Sequence, residues 1–112
     1  MIFLVMAGVF LGIVDRGIKR GQYLDFAQWN DIYAGKINAD VLIQGSSRAW
    51  RQVNPLIIDT ALGVNSYNLG MDGYQIPMQI ARNKVYNEHN TQPKMIIQIV
   101  DHFGIWRRTD LF

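Results

Sequence analysis

A short apolar run that stops at a glycine is the feature that most constrains this 112-residue chain. Residues 41–43 read Val-Leu-Ile, a composition typical of a strand that is buried on both faces. Gly45 lets the backbone turn sharply, so Ser46, Ser47 and Arg48 come directly after the strand. In an open α/β sheet, ligands bind at the carboxyl ends of the strands. The run therefore predicts a central strand with a binding loop at its end.

The rest of the chain alternates between predicted helices and strands. Further strands are predicted at residues 64–69 and 95–100, the latter as a buried strand. Helices are predicted over residues 22–35, 54–62 and 76–90, the second of them beginning at an Asn-Pro pair. Alternation of this kind favours parallel strands joined by right-handed crossovers. We expect an α/β fold of the three-layer α/β/α, flavodoxin-like type, with a short parallel sheet in the order 2-1-3. It would be incomplete, as the amino-terminal part of a longer protein.

Two of the predicted helices carry apolar stripes, and the stripe of the first is expected to pack on the sheet or near the membrane surface. The stripe of the first predicted helix is aromatic and consists of Phe26, Trp29 and Tyr33. The stripe of the last one is aliphatic and consists of Met78, Ala81 and Val85, with Ile80 beside it. Residues three and four apart share one face of a helix, and stripes of this kind usually belong to the core. We assign them no chemistry.

The amino-terminal segment is the second unusual feature. Residues 1–14 carry no charge, and basic residues follow within positions 16–20. A membrane span needs about 20 apolar residues, and this segment is shorter. Residues 1–14 are therefore a buried core helix, a strand pair broken at Gly8, or a signal anchor. We favour the anchor, an N-terminal apolar helix, and divide the chain into an anchor with its basic flank (1–20) and an α/β domain (21–112). The basic flank alone favours a cytoplasmic body by the positive-inside rule.

Composition excludes several functional classes. Hydrophobic residues make up 49% and charged residues 18%, as in a folded rather than a disordered chain. The net charge of +2 is too small to indicate nucleic-acid binding. The chain has no cysteine, which excludes thiolate metal sites and a cysteine nucleophile. His89 and His102 are far apart in the sequence and lack clustered acids, so we expect no metal and no cofactor.

Two loops resemble conserved blocks of a known superfamily. The Gly-Ser-Ser-Arg sequence at 45–48 resembles the first block of the SGNH/GDSL hydrolases, which is Gly-Asp-Ser with substitutions at the middle position. The Asn-Leu-Gly-Met-Asp-Gly sequence at 68–73 resembles their second block, Asn-x-Gly-x-x-Gly. The span 40–101, with its Asn-Pro helix and a Pro-Lys pair before the third strand, is similar to membrane-anchored, extracytoplasmic members of this superfamily.

The resemblance implies a site and an activity. It makes Ser47 the nucleophile, and it makes the backbone N–H groups of Ser47 and Gly73 the oxyanion-hole donors. Candidates for substrate or loop contacts are Ser46, Arg48, Asn68 and Asp101. The implied protein is a hydrolase or acyltransferase for ester-linked acyl groups, such as acetyl on a small molecule or a carbohydrate. Its body would lie on the periplasmic or extracytoplasmic side of a membrane contacted through residues 1–14.

Departures from the superfamily pattern favour a second class of function. Ser46 stands where the family often has aspartate, and Asp101-His102 stands where its third block has asparagine. An ionised Asp101 would repel an oxyanion. Nothing in the sequence matches the final Asp-x-x-His block that supplies the base, and a serine without a base is a weak nucleophile. The alternative is a catalytically degenerate SGNH-fold module that binds a sugar or a partner protein in cell-envelope polysaccharide handling.

Simpler interpretations of the same residues also stay open. Ser46 and Ser47 would then only cap a turn, and the glycines at 70 and 73 would serve backbone geometry. Arg48 is a surface charge, an ion-pair partner of an acid in the neighbouring loops, or a contact for an anionic substrate group. A flavodoxin-like ligand-binding domain is a third functional class, although the loops carry no Ser/Thr-rich phosphate cradle.

Overall fold

A computed structural model describes residues 1–21 and 24–102 of the chain and shows a mixed α/β fold. Five helices and three strands occur in these residues, in the order α1 (Ile2–Arg20), α2 (Leu24–Tyr33), β1 (Val41–Gln44), α3 (Ser47–Gln52), α4 (Pro55–Leu62), β2 (Ser66–Asn68), α5 (Ile76–His89) and β3 (Met95–Gln98). The strands form one parallel sheet in the order β2-β1-β3, which confirms the predicted order. Residues 22 and 23, which were predicted to begin the first helix of the domain, lie outside the described residues.

The central strand β1 has a neighbour on each side. Val41 is in register with Ser66 of β2 and with Met95 of β3, and Gln44 is in register with Gln98. All four residues of β1 are buried, as the apolar run predicts. Because both of its edges are paired, the backbone polar groups of β1 are satisfied without water.

The main core lies between the sheet and the two helices α2 and α5. Its buried residues come from both helices, from β1 and from the chain segments that flank β1 and β2. They are Ile32, Ile37, Ala39, Leu42, Leu69 and Tyr86. Trp29, Tyr67 and Val85 are partly buried against this cluster. Val41 and Ile43 are also buried, but side chains alternate along a strand, so they point to the opposite face from Leu42. The central strand thus buries both of its faces.

The third strand differs from its prediction. It spans Met95–Gln98 rather than 95–100, and it is not buried, since Met95 is 55% and Ile96 44% exposed. Within the described residues, β3 is an edge strand that pairs only with β1. An apolar run indicates that a strand tends to be buried. How much of the strand is actually buried depends on the elements that pack against it.

The face that α5 buries differs from its aliphatic stripe. In α5 the buried residues are Gln79, Arg82 and Tyr86, whereas the predicted Met78 and Ile80 are exposed. The polar side chains on this buried face find hydrogen-bond partners, which offsets the cost of removing them from water.

The aromatic stripe of α2 is also only partly in the core. Phe26 and Tyr33 are exposed, and Trp29 alone of the three packs against the core cluster. Among residues 25–33 of α2, Ile32 is fully buried. It lies next to Tyr33 in the sequence, so a different side of the helix faces the sheet. Tyr33 instead stacks on Trp29, with ring centroids 5.9 Å apart.

The amino-terminal segment is one helix, α1, and not a strand pair. None of its residues is buried, so the interpretation as a core helix is wrong as well. Its end is fixed by Asn30, whose Nδ2 donates to the carbonyl oxygens of Ile18 and Gly21, each at 3.0 Å. Within residues 1–21 and 24–102, no helix combines the length and the apolar character that crossing a membrane requires.

Helix α4 begins and ends as its sequence predicts. The side chain of Asn54 accepts a hydrogen bond from the backbone N–H of Leu56 at 3.0 Å, and Pro55 is the first helical residue. Gly63 ends the helix with a left-handed backbone conformation. These local signals were sufficient because capping depends on neighbours in sequence.

Asp40 connects the residues that precede the three strands, and substituting it tests the contribution of these contacts to stability. Its carboxylate accepts from the Asn65 backbone N–H at 3.3 Å and pairs with Lys94 Nζ at 2.8 Å. The hydrogen bond from Lys94, then the one from Asn65, holds the pKa of Asp40 below its usual value. This contribution to stability is present above the ordinary carboxyl pKa of about 3.9 and is lost as the pH falls through the lowered pKa.

We therefore expect Asp40→Asn to lower the unfolding midpoint at pH 7 and to converge with wild type in strong acid, as measured by urea denaturation across pH. Glu88→Gln, at an exposed position of α5, is the matched control and should show no such convergence. A difference between Asp40→Asn and wild type that persists unchanged at acid pH would contradict this role.

Candidate functional site

The loop after β1 leads at once into α3, a helix that the sequence did not predict. Gly45 has φ +155°, and a Cβ there would lie 2.7 Å from the Cβ of Ala49 and 3.0 Å from the carbonyl oxygen of Ile99. Glycine is required because α3 and the segment after β3 both pack against this turn. Ser46 precedes α3, and Ser47 is its first residue. The proposed nucleophile thus lies directly beyond the carboxyl end of the central strand.

The loop after β1 and the segment after β3 meet through a hydrogen bond of Ser46. Its hydroxyl donates a hydrogen bond to Oδ2 of Asp101, a buried residue that follows β3. The backbone N–H of Ile99 also donates to the carbonyl oxygen of Gln44, at 2.8 Å, and this extends the contact between the two strand ends. His102 is exposed beside Asp101. Ser46 and Asp101 are therefore brought together at the sheet edge where the loops were expected to converge.

The second loop, residues 68–73 at the end of β2, packs directly on α3. A Cβ at Gly70 would lie 2.4 Å from the backbone nitrogen of Trp50, so no other residue fits there without backbone movement. Asn68 holds the same contact, because its Nδ2 donates to the carbonyl oxygens of Ala49 at 2.7 Å and Val53 at 2.8 Å. Its Oδ1 accepts from the Gly70 N–H at 2.8 Å. The side chain of Asn68 is engaged in holding the loops together.

A polar pair, half-buried Gln28 and buried Arg82, supports the second loop from the other side. Gln28 of α2 donates through Nε2 to the carbonyl oxygens of Asn68 at 3.1 Å and Gly70 at 3.2 Å. Its Oε1 accepts from Arg82 of α5 at 3.1 Å, and the same guanidinium contacts the Met71 sulfur at 3.3 Å. Arg82 is 2% exposed, and burial lowers its pKa to about 10, which leaves it charged at neutral pH.

Sequence reasoning missed Gln28 and Arg82. Polar residues on a helix are usually placed on its exposed face, and neither residue belongs to a motif. The rings of Tyr74 and Trp29 lie 4.9 and 6.0 Å from the Arg82 guanidinium, so aromatic faces share in its stabilisation. Only the way α2 and α5 pack against the second loop identifies these side chains.

A cavity of about 250 Å³ opens beside Ser47. The residues that line it are all polar or charged, and they are Ser47, Arg48, Arg51, Gln52 and Asp72. Arg51 and Asp72 form an exposed salt bridge at 2.9 Å, which links α3 to the second loop. The ion-pair partner of Asp72 is therefore Arg51, and Arg48 is an exposed cation on the cavity wall. The first and second motif loops share one polar depression.

Gly73, the second proposed oxyanion-hole donor, follows Asp72 in the chain. It has φ +72°, and among the described residues nothing lies within 4 Å of the position that its Cβ would take. Its backbone is thus at an open surface next to a residue that lines the cavity. The structure brings Ser47 and Asp72 to the same cavity, and Gly73 adjoins it through the chain.

The groups around the cavity suit the binding of an oxygen-rich molecule. They comprise a hydroxyl, two guanidinium groups, a primary amide and a carboxylate. Over residues 1–21 and 24–102, no three His, Cys, Asp or Glu side chains come together in a way that could hold a metal ion. Comparison of the chain with protein-family models, with curated proteins and with solved structures finds no match.

Proposed function

We propose that this chain carries the nucleophile part of an SGNH-like hydrolase or acyltransferase that acts on ester-linked acyl groups, with acylated carbohydrate as a substrate class. The observation that carries the proposal is the position of Ser47, at the end of the central strand and in one cavity with Asp72. The two loops that resemble the superfamily's first and second blocks are packed on each other through Gly70. On this proposal the fold is the amino-terminal part of a three-layer, flavodoxin-like domain.

The proposed reaction is acyl transfer through the serine. Ser47 Oγ attacks the ester carbonyl carbon while a base takes the hydroxyl proton, and the carbonyl oxygen gains negative charge. The backbone N–H groups of Ser47 and Gly73 donate to that oxygen. The C–O bond to the alcohol then breaks, and the alcohol leaves with the proton. Water or a second alcohol accepts the acyl group from Ser47 in the second step.

The sequence does not identify the residue that acts as the base. No Asp-x-x-His block is present, and His102 lies where the superfamily has its third block. A serine hydroxyl without a base reacts slowly. We therefore expect the 112-residue chain by itself to be inactive as an esterase.

Chemical rescue with imidazole tests this proposal. Free imidazole has access to the cavity beside Ser47 and can take the place of the base. We expect a fluorophosphonate probe to modify Ser47 in the folded chain at least about ten-fold faster with imidazole than without it, since a positioned base contributes about 100-fold or more. Mass spectrometry of the modified peptide is the measurement.

Two controls separate site chemistry from general reactivity. Ser47→Ala and urea-unfolded wild type should both lose the imidazole-dependent modification, because the first lacks the nucleophile and the second lacks the site. Equal modification of Ser47→Ala, or no modification of wild type at any imidazole concentration, would rule out Ser47 as the nucleophile. Modification of Ser47 that is equally fast with and without imidazole would instead show that the chain supplies a base, and His102→Gln would then test that residue.

A second candidate function is a carbohydrate-binding module, and two observations favour it. Asp101, engaged by Ser46, places a carboxylate where the superfamily stabilises an oxyanion. Arg51 of the cavity lining also lies over Trp50, which is 37% exposed, with its guanidinium 5.3 Å from the ring centroid. Exposed aromatic rings and polar side chains are suited to sugar rings and their hydroxyls. In calorimetric titration with oligosaccharides, a binder keeps its affinity in Ser47→Ala and loses it in Arg51→Ala.

We also propose that residues 1–14 contact a membrane and that the α/β body lies on its extracytoplasmic side. In α1 these residues expose large apolar side chains such as Phe3, Leu4 and Phe10. Exposed apolar groups in a contiguous patch of this size usually mark an interaction surface. The basic residues that follow would lie at headgroup level.

A further inference from the structure

A second cavity, remote in sequence from the motif loops, lies where α1 meets α2. It has a volume of about 250 Å³, and its charged lining consists of Lys19, Arg20 and Lys36 together with Asp31. Three cations therefore face one carboxylate. The charged residues of the lining therefore carry an excess of positive charge.

The single acid of the lining is already engaged. Oδ2 of Asp31 accepts a hydrogen bond from the Tyr67 hydroxyl at 3.2 Å. Lys19 has an exposed partner in Asp15, which is 2.8 Å away on the same helix and outside the cavity lining. Within the described residues, Arg20 and Lys36 form no salt bridge. The cavity thus has three cations against the one carboxylate of Asp31, and both of its walls carry positive charge, one from α1 and one from the segment after α2.

The two walls are held in place relative to each other. Asn30 lines the cavity and donates to the carbonyl oxygens of Ile18 and Gly21, which attaches the last turn of α1 to α2. The backbone N–H of Lys36 donates to the carbonyl oxygen of Asp31 at 3.1 Å, which fixes the turn after α2. The backbone that carries the cations is therefore held by hydrogen bonds within the chain, and this lowers the entropy that binding would cost.

The cavity lies next to the apolar part of α1, which points to a lipid as the source of the bound anion. Lys19 lies five residues beyond Val14, a rise of about 7.5 Å along the helix. When the exposed apolar side chains of residues 1–14 enter the surface of a bilayer, the adjoining cavity comes close to the lipid headgroups. We propose that this cavity binds the phosphate headgroup of an anionic phospholipid. The proposal rests on the membrane contact proposed above and adds its lipid specificity.

Vesicle flotation with matched charge variants tests this site. The full chain is mixed with neutral phosphatidylcholine vesicles or with vesicles that also contain phosphatidylglycerol. We expect binding to both, with the anionic vesicles preferred. Lys36→Gln should weaken binding to anionic vesicles about five-fold, because each basic residue near an anionic surface contributes about 1 kcal/mol. Lys84→Gln, an exposed position of α5 outside the cavity lining with the same change of charge, should have a smaller effect.

The outcomes separate this proposal from membrane contact itself. Equal affinity for neutral and anionic vesicles, or equal losses in Lys36→Gln and Lys84→Gln, would overturn the headgroup site and leave membrane contact intact. Binding to neither vesicle would overturn both. Inorganic phosphate at millimolar concentration should not displace the chain from anionic vesicles. Displacement would show a site for free phosphate rather than for a lipid headgroup.

Discussion

Gly70→Ala is expected to destabilise the α/β body by about 3 kcal/mol, at the upper end of overpacking costs. The added Cβ would lie 2.4 Å from the Trp50 backbone nitrogen and 2.8 Å from the Ala49 Cβ. A backbone atom cannot rotate away as a side chain can, so α3 or the second loop must shift. Urea denaturation followed by far-UV circular dichroism measures the change in the free energy of unfolding.

Gly63→Ala is the matched control for this prediction. Gly63 has φ +64° and open space around its Cβ position, so alanine there costs only the left-handed conformation, about 1 kcal/mol. Gly70 is not among the described residues with positive φ, so its cost comes from crowding alone. If the two variants lose equal stability, α3 and the second loop do not pack as closely as the structure shows. The proposed site depends on this packing, so Gly70→Ala should also lose imidazole-dependent modification of Ser47.

Gln28→Ala is expected to cost about 3 kcal/mol and to loosen the second loop. The change removes two donors to the carbonyl oxygens of Asn68 and Gly70, and it removes the acceptor that the Arg82 guanidinium uses. A buried group left without its partner costs about 1–3 kcal/mol, and a charged group costs more. The free energy of unfolding measures the total, and amide hydrogen exchange locates it.

In Gln28→Ala, amides in the second loop, including that of Met71, should exchange faster than in wild type. Gln92→Ala, an exposed position in the loop before β3, is the control and should change neither quantity. Faster exchange spread evenly over the whole domain would point to global destabilisation rather than to a specific support of the loop. Unchanged stability would show that Arg82 finds an equivalent partner elsewhere.

The elements of the sheet could be predicted because their signals are local. The Val-Leu-Ile run of β1 was buried as predicted, and the alternation of strands and helices predicted the parallel pairing. The order β2-β1-β3 was predicted because it places the Gly45 loop at the switch point of the sheet. Asn54 and Gly63 marked both ends of α4. Strand composition and helix capping depend on residues a few positions apart, so one sequence is enough to identify them.

The close contacts of the candidate site were only partly foreseeable. Convergence of the loops follows from parallel strands, since their carboxyl ends share one edge of the sheet. The hydrogen bond from Ser46 to Asp101 and the pairing of Asp72 with Arg51 require positions far apart in the sequence. The turn at Gly45 was predicted, whereas the helix α3 that follows it was not.

The sequence by itself determined which segments form strands, the order of those strands and the edge at which polar loops gather. Only the tertiary structure decided which faces are covered: α5 buries Gln79 and Arg82 rather than its aliphatic stripe, and β3 stays largely exposed. The physical reason is that burial depends on neighbours in space. A polar side chain can be buried when distant groups satisfy its hydrogen bonds, and an apolar one is left exposed when nothing packs over it.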